Sequence, residues 1–237
     1  MAKISFKVVS IPGQLYIVST PIGNLEDISI RALNVLKEVD LIACENIGLS
    51  GRLLKKYDIQ TKRIKYSDHN ESYKSNKIVD LIAKGKNIAL ISDAGTPCIS
   101  DPGYRLVNKA NRRSIKVNSI PGPSSVISSL SVSGLPTDRF MFLGFVPKKK
   151  GRKKFLQYMS EIKNSTLVVF ESPVRFIKLL NDIKIYLGNR IISVCREITK
   201  VYDEVYLGTV EECLTHFSEK TVKGEITIVI SKEGYRL

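Results

Sequence analysis

The sequence predicts an α/β protein of two domains, a parallel, doubly wound sheet followed by a mixed sheet. Three observations carry that prediction. Between residues 15 and 119, five short apolar runs alternate with segments of helical spacing, the pattern of strands joined by crossover helices. At Ile120-Pro121-Gly122-Pro123 a rigid turn interrupts the alternation. From Phe140 onward strand-like runs predominate. A chain of 237 residues, 43% of them hydrophobic, has enough apolar material for two modest cores. The expected domains are residues 14–120 and 121–237, preceded by an amino-terminal extension, residues 1–13.

Leu15 to Ser19 reads as the first strand, and Thr20-Pro21-Ile22-Gly23-Asn24 breaks it before a helix over 29–38. Asp40 to Cys44 is the next strand. Glu45 to Leu49 then reads as a loop, with Ser50 as the expected cap of the following helix. Ile64 to Tyr66 is a weak third strand. Ile78, Leu81 and Ile82 fall at helical spacing and predict an amphipathic helix over 71–84. Asn87 to Ile91 has the length and composition of a buried strand. A helix from Tyr104 to the neighbourhood of Arg113 and a strand over 115–119 complete the first domain. Ser124 and Ser125 open a helix near Val126. Beyond it, strands are expected over 140–146, 166–170, 190–196, 204–207 and 225–230, and helices over 152–162, 173–187 and 209–217.

The stretch Ser92-Asp93-Ala94-Gly95-Thr96-Pro97-Cys98-Ile99-Ser100-Asp101-Pro102-Gly103 is a loop at a strand's carboxyl end, where open α/β sheets bind ligands. Its glycines and prolines specify backbone geometry, and Asp93, Thr96, Ser100 and Asp101 supply polar atoms a mere connector does not need. The second half alone justifies no more than a helix start, with Asp101 as cap and Pro102 at the first helical position.

With 37 Lys+Arg against 23 Asp+Glu the net charge is +14, which makes nucleic acid the first suspect among partners. A chain-wide richness in Lys, Ile and Asn is the competing explanation. The charge is densest at Lys148-Lys149-Lys150-Gly151-Arg152-Lys153-Lys154, where six of seven residues are basic, a run suited to a phosphate backbone or to a solvated loop. Phe155 and Tyr158 follow, as base-stacking platforms or, more commonly in such positions, core residues. Cys44, Cys98, Cys195 and Cys213 are scattered and far from His69 and His216 in sequence, which argues against zinc, any other metal site and disulfides, and for a reducing, cytoplasmic setting. No run has the length of a signal peptide or membrane span. No dinucleotide fingerprint, phosphate-binding P-loop or G-x-S-x-G elbow occurs.

Six motifs then stand in order: Thr20-Pro21-Ile22-Gly23-Asn24-Leu25; Ser92 to Pro97 with Ser100-Asp101-Pro102-Gly103; Pro121-Gly122-Pro123; Phe142-Leu143-Gly144-Phe145; Phe170-Glu171-Ser172-Pro173 with Arg175; and Arg196-Glu197-Ile198-Thr199-Lys200. Together they resemble the ribosomal RNA small subunit methyltransferase I family of the tetrapyrrole methylase superfamily. The resemblance implies a class III methyltransferase fold of two α/β domains, S-adenosylmethionine in the cleft between them, and a homodimer. It also implies 2′-O-ribose methylation of a cytidine in the decoding region of the 16S rRNA of the small ribosomal subunit. By motif position the cofactor is expected at Pro21, Ile22 and Gly23, at Asp93, Ala94, Gly95, Thr96 and Pro97, at Ser124 and Ser125, at Phe170 and Glu171, and at Thr227. Arg175 joins Lys148, Lys149, Lys150, Arg152, Lys153 and Lys154 as the residues assigned to RNA.

Methyl transfer to a hydroxyl needs in-line positioning and acceptance of the hydroxyl proton. Glu45, His69, Glu197 and Lys200 are the candidates for that chemistry. His69 reads equally as a surface histidine beside a cap at Asn70, and Glu197 with Lys200 as a structural ion pair. Two departures from the family pattern stand out. Ala-Glu-Asp-Thr-Arg is here Cys44-Glu45-Asn46-Ile47-Gly48, which removes an arginine able to grip a phosphate or carboxylate. The chain also lacks the helical carboxyl-terminal extension of many relatives, and with it an expected RNA-docking surface. The alternatives are a tetrapyrrole methylase of the same fold and a ribosome-binding relative without catalysis.

Overall fold

The computed structural model describes residues 13–219 and 221–237, so the expected extension, Gly13 apart, lies outside the described residues. The chain divides into two compact units, Met1–Pro123 and Ser124–Leu237. Among the described residues no helix is long and apolar enough to cross a membrane, and no group of three or more His, Cys, Asp or Glu side chains is placed to hold a metal ion.

The first unit contains β1 (Leu15–Val18), α1 (Ile30–Glu38), β2 (Leu41–Cys44), α2 (Ile47–Lys56), β3 (Arg63–Lys65), α3 (Glu71–Ala83), β4 (Ile88–Ile91), α4 (Tyr104–Arg112) and β5 (Val117–Ile120). Its strands lie in the order β3-β2-β4-β1-β5, all parallel. The side-chain alternation of a strand explains the double winding. Ile42 and Cys44 of β2, with Ala89 and Ile91 of β4, turn to one face and pack with Ala32 and Leu36 of α1 and Leu53 and Leu54 of α2. Ala43, Ile88 and Leu90 turn to the other and meet Ile78, Val79 and Ile82 of α3 and Leu106 and Ala110 of α4.

Two helix starts differ from the sequence expectation. The second helix begins at Ile47, capped by Asn46, whose Oδ1 accepts from the amides of Gly48 and Leu49 at 2.9 and 3.2 Å. Ser50 lies inside that helix and donates its hydroxyl to the Asn46 carbonyl. The fourth helix is entered through Gly103 at φ 143°, without a side-chain cap, so Asp101 and Pro102 are loop residues. An added Cβ at Gly103 would lie 2.6 Å from Cys98 Sγ and 2.8 Å from Leu90 Cδ2, which explains why glycine occupies this entry.

The second unit contains α5 (Ser125–Val132), β6 (Phe140–Phe145), α6 (Arg152–Glu161), β7 (Thr166–Glu171), α7 (Pro173–Leu187), β8 (Ile191–Arg196), β9 (Glu204–Thr209), α8 (Val210–Ser218) and β10 (Ile226–Ile230). The order is β6-β7-β10-β8-β9, with β6 and β7 parallel and the other pairs antiparallel, a mixed sheet. Leu167, Val169, Ile228 and Ile230 face Leu156 and Met159 of α6, Phe176 and Leu180 of α7, and Cys213 and Phe217 of α8. The opposite face, with Val168 and Val229, is covered by Val126 and Leu130 of α5.

Candidate active site

Because β1 runs between β4 and β5, the turns at the carboxyl ends of these three strands are neighbours. They are also bonded. The Thr20 amide donates to the Gly95 carbonyl at 2.8 Å and the Gly95 amide returns to the Thr20 carbonyl at 3.1 Å. Thr96 Oγ1 donates to the Pro123 carbonyl at 3.3 Å. Its one proton is thereby used, so Ser19 Oγ, 2.9 Å away, is the donor to Thr96 Oγ1. An added Cβ at Gly122 would stand 3.0 Å from Ser19 Cβ, so the Pro-Gly-Pro turn packs against the first turn through its missing side chain. Gly95 adopts φ +74°, where an L side chain is strained.

Thus Pro21, Ile22, Gly23 and Asp93 to Pro97 are brought together by direct bonds between their loops. Gly23 and Asp93 are exposed, whereas Pro21, Ile22, Gly95 and Pro97 are buried. The mixture suits S-adenosylmethionine: exposed turn residues and an exposed carboxylate for its polar groups, on loops fixed by their neighbours.

Asp93 Oδ1 also accepts the Asn46 amide at 3.0 Å and ties the β2 turn to the same strand ends. Glu45 has its pKa raised by burial and then by the charges of Asp93 and Asp68. The Asp101 carboxyl is pushed up to about 6 by burial, then by Glu45, Asp93 and Asp68, against a hydrogen bond from Ser92. Glu45 therefore belongs to a group of carboxyls in which one member titrates near neutrality. His69 is exposed. Asn70, beside it, gives α3 no side-chain cap and instead accepts the Ser67 amide at 3.0 Å.

The loop 98–103 turns through positive φ at Cys98, Ser100 and Gly103. Glu71 holds its far end. Buried at the start of α3, its Oε1 accepts from the Gly103 amide at 2.9 Å and the Tyr66 hydroxyl at 3.0 Å, and Oε2 lies 3.4 Å from Arg105 Nε. Glu71 was not among the sequence-derived site residues. Its acidic position in a first helical turn was visible, but such a residue ordinarily serves its own helix dipole rather than another loop. Cys98 beside it is held in the thiol form: burial, and then Glu71 and Asp101, push it up to about 11.

In the second unit, Phe170 and Thr227 are register partners on β7 and β10. Phe170 makes edge contacts with Phe142 and Phe145, with centroids 4.9 and 5.3 Å away. Ser124 caps α5, its Oγ accepting from the Ile127 amide at 3.5 Å, and Ser125 is the first residue of that helix.

Three expectations require correction here. The Glu171 carboxylate has no exposure and is occupied by the Ser172 amide at 2.7 Å and by Arg175, so its side chain is not a cofactor ligand. Arg175 is turned inward to that carboxylate, and Arg152 is buried beside it, so neither is an open RNA contact. Phe155 packs against the core, in line with the commoner reading, but Tyr158 departs from that reading: it is exposed and directs its hydroxyl at Met141 Sδ.

Glu197 and Lys200 form the structural ion pair, at 2.7 Å. Lys200 also reaches Glu225 at 3.1 Å, and Glu197 Oε1 accepts the Glu225 amide at 2.8 Å. Burial works against the charge on Glu197, but the Lys200 and Glu225 hydrogen bonds prevail and hold its pKa below the usual glutamate value. Lys200 likewise is raised by Glu197 and Glu225 in spite of burial. A carboxylate stabilised in its charged form is a poor proton acceptor.

Comparison with known proteins is consistent along the chain. The family described as Tetrapyrrole (Corrin/Porphyrin) Methylases matches residues 14–214. A protein of Halalkalibacterium halodurans named ribosomal RNA small subunit methyltransferase I is 44% identical over 227 residues, covering 95% of this chain and 78% of that one. The protein of the same name from Thermotoga maritima is 44% identical over 219 residues, 92% of this chain and 98% of the relative. Among solved structures, a cobalt precorrin-4 methyltransferase superposes with a TM-score of 0.69 at 16% identity, covering 92% of this chain and 94% of that one. A uroporphyrin-III-C-methyltransferase from Thermus thermophilus gives a TM-score of 0.64 at 18% identity, with coverages of 93% and 94%. The last two establish the class III two-domain fold alone. On the identity of the first two and the family match, the chain belongs to the ribosomal RNA small subunit methyltransferase I family of the tetrapyrrole methylases.

Proposed function

We propose that this protein transfers a methyl group from S-adenosylmethionine to the ribose 2′-hydroxyl of a cytidine in the decoding region of 16S rRNA. The coarser statement, an S-adenosylmethionine-dependent methyltransferase acting on rRNA, follows from the family. The observation that supports the reading best is the bonded set of turns after β1, β4 and β5. Its exposed turn residue Gly23, its exposed Asp93 and its fixed Gly95 suit the cofactor, on loops whose own hydrogen bonds are already made.

When bound, S-adenosylmethionine supplies an electrophilic methyl group on a sulfonium. The turns at Pro21 to Gly23 and Asp93 to Pro97 hold it by loops already fixed to one another, so little ordering remains to be done on binding. A ribose hydroxyl is a weak nucleophile while protonated. Of Glu45, Glu197 and Lys200, Glu45 keeps the electrostatics of an acceptor, and Asp101, which shares its charges, gains them. The residues Asn46, Ile47 and Gly48, which depart from the family pattern, form the capped start of α2. This supports retention of the local shape at the β2 turn.

The test is methyl transfer from labelled cofactor to small ribosomal subunits lacking the modification, followed by nucleoside mass spectrometry. A new 2′-O-methylcytidine is expected. Label on a base would overturn the 2′-O assignment, and label on a corrin or porphyrin precursor in preference to RNA would favour the tetrapyrrole alternative.

A further inference from the structure

The run from Lys148 to Lys154 contains two kinds of cation. Lys148, Lys149, Lys150, Lys153 and Lys154 are exposed, and none pairs with a carboxylate among the described residues. Arg152 is only 7% exposed. Its Nε donates to Asp182 Oδ2 at 2.8 Å and its Nη1 to the Pro147 carbonyl at 3.1 Å, and the same nitrogen lies 3.5 Å from Glu171 Oε2. Glu171 is shared with Arg175 of α7, which also carries Asp182. One guanidinium therefore joins the residue before the lysine turn, the carboxyl end of β7 and the middle of α7.

The chemistry asks for arginine at this point. Three acceptors in different directions match a planar fork of five donors, and an ammonium on a flexible stem cannot meet all three in one fixed pose. The neighbouring turn requires holding. Gly151 at φ +83° leads into α6 with no side-chain cap, and five like charges crowd the same few residues, so repulsion favours spreading the turn open.

We propose that Arg152, gripped by Glu171 and Asp182, is a positioning residue for RNA docking: it fixes the turn so that the five surrounding lysines present one preformed face to the phosphate backbone. The inference rests on the RNA reading of the site and assigns Arg152 no phosphate contact of its own. A preformed face binds more tightly because the lysines and their turn lose less freedom on docking.

The test measures affinity for transcribed 16S rRNA over a series of salt concentrations, using the full chain and the variants Arg152→Met, Arg152→Lys and Lys150→Ser. Arg152→Met should weaken binding about tenfold by loss of preorganisation, with the log–log salt slope unchanged. Its KM for RNA should rise while kcat at saturating RNA and cofactor affinity hold. Arg152→Lys keeps the charge and loses the fork, so it should show the same pattern in milder form, and it serves if the Met variant melts. Lys150→Ser should instead lower the slope, by roughly 0.7 for a single-stranded contact. Unchanged affinity in both Arg152 variants, or a slope that falls as it does for Lys150→Ser, overturns the positioning role. If Lys150→Ser and the replacement of all five lysines leave affinity and slope untouched, the docking reading fails and the positioning role fails with it.

Discussion

At Asp101, the carboxyl ionises near 3.8 in an unfolded chain and at about 6 in the folded one, so its ionisation opposes folding progressively as pH rises from about 4 to 6. Asp101→Asn should therefore raise the melting temperature at neutral pH and leave it nearly unchanged below pH ~4, measured by thermal melts at both. If the carboxylate accepts the substrate proton, the same variant loses most activity, and Glu45→Gln moves the acidic limb of the wild-type rate profile to lower pH by removing a neighbouring charge. A melting gain without activity loss would make Asp101 a bystander. At Gly95 the constraint is conformational: φ is +74°, and an added Cβ would meet Ile22 Cγ2 at 3.4 Å and the Pro123 carbonyl oxygen at 3.8 Å, ordinary contacts. Gly95→Val should cost about 1–2 kcal/mol of local strain and weaken cofactor binding about tenfold or more by calorimetry. Unaltered affinity would take this loop out of the site. Residues of this kind were legible because glycine and proline announce backbone geometry locally. The environment of Asp101 was not, because Glu45 and Asp68 reach it only through the order of the strands.

Helix α2 shows how an element can be placed correctly and started wrongly. Gly48 and Gly51 lower its helical propensity and Ser50 imitates a cap, yet Asn46, with two amides on its Oδ1, fixes the true beginning. Asn46→Ala should destabilise the first unit by about 1 kcal/mol and Asn46→Asp by far less, read from denaturant midpoints. Equal losses would remove the cap from consideration. The loop 98–103 depends on α3 in the same way. Glu71→Ala leaves the Gly103 amide without its acceptor in a buried place, while the Tyr66 hydroxyl keeps Ser75 Oγ at 3.1 Å, and about 2 kcal/mol of destabilisation is expected, with hydrogen exchange rising first in that loop. Tethers of this sort join distant segments through side chains, so hydrophobic periodicity, which located nearly every strand and helix here, carries no trace of them. The inward turn of Arg152 and Arg175 escaped for the same reason: composition counts cations without saying which way they point.

The molecule as a whole carries +14, and five of its cations stand on the turn over 148–150 and the first turn of α6 without carboxylate partners among the described residues. Replacing Lys148, Lys149, Lys150, Lys153 and Lys154 by Ser should flatten the salt dependence of RNA binding by roughly 0.7 for each phosphate no longer neutralised, while cofactor binding stays as it was. An unchanged slope would make the charge a matter of composition. Fold class was readable at this scale because five alternations of strand and helix admit few arrangements, whereas strand order was not, since apolar runs do not say which neighbour they will choose. That order has a consequence for biosynthesis. In the first sheet β1 is flanked by β4 and β5, and in the second β10 separates β7 from β8. Leu15–Val18 therefore waits for a partner until residue 88 has been made, and the second sheet remains in two halves until residues 226–230 emerge. Each sheet is joined up late, and a growing chain arrested before residues 226–230 offers two unpaired edges, β7 and β8, to chaperones or to aggregation.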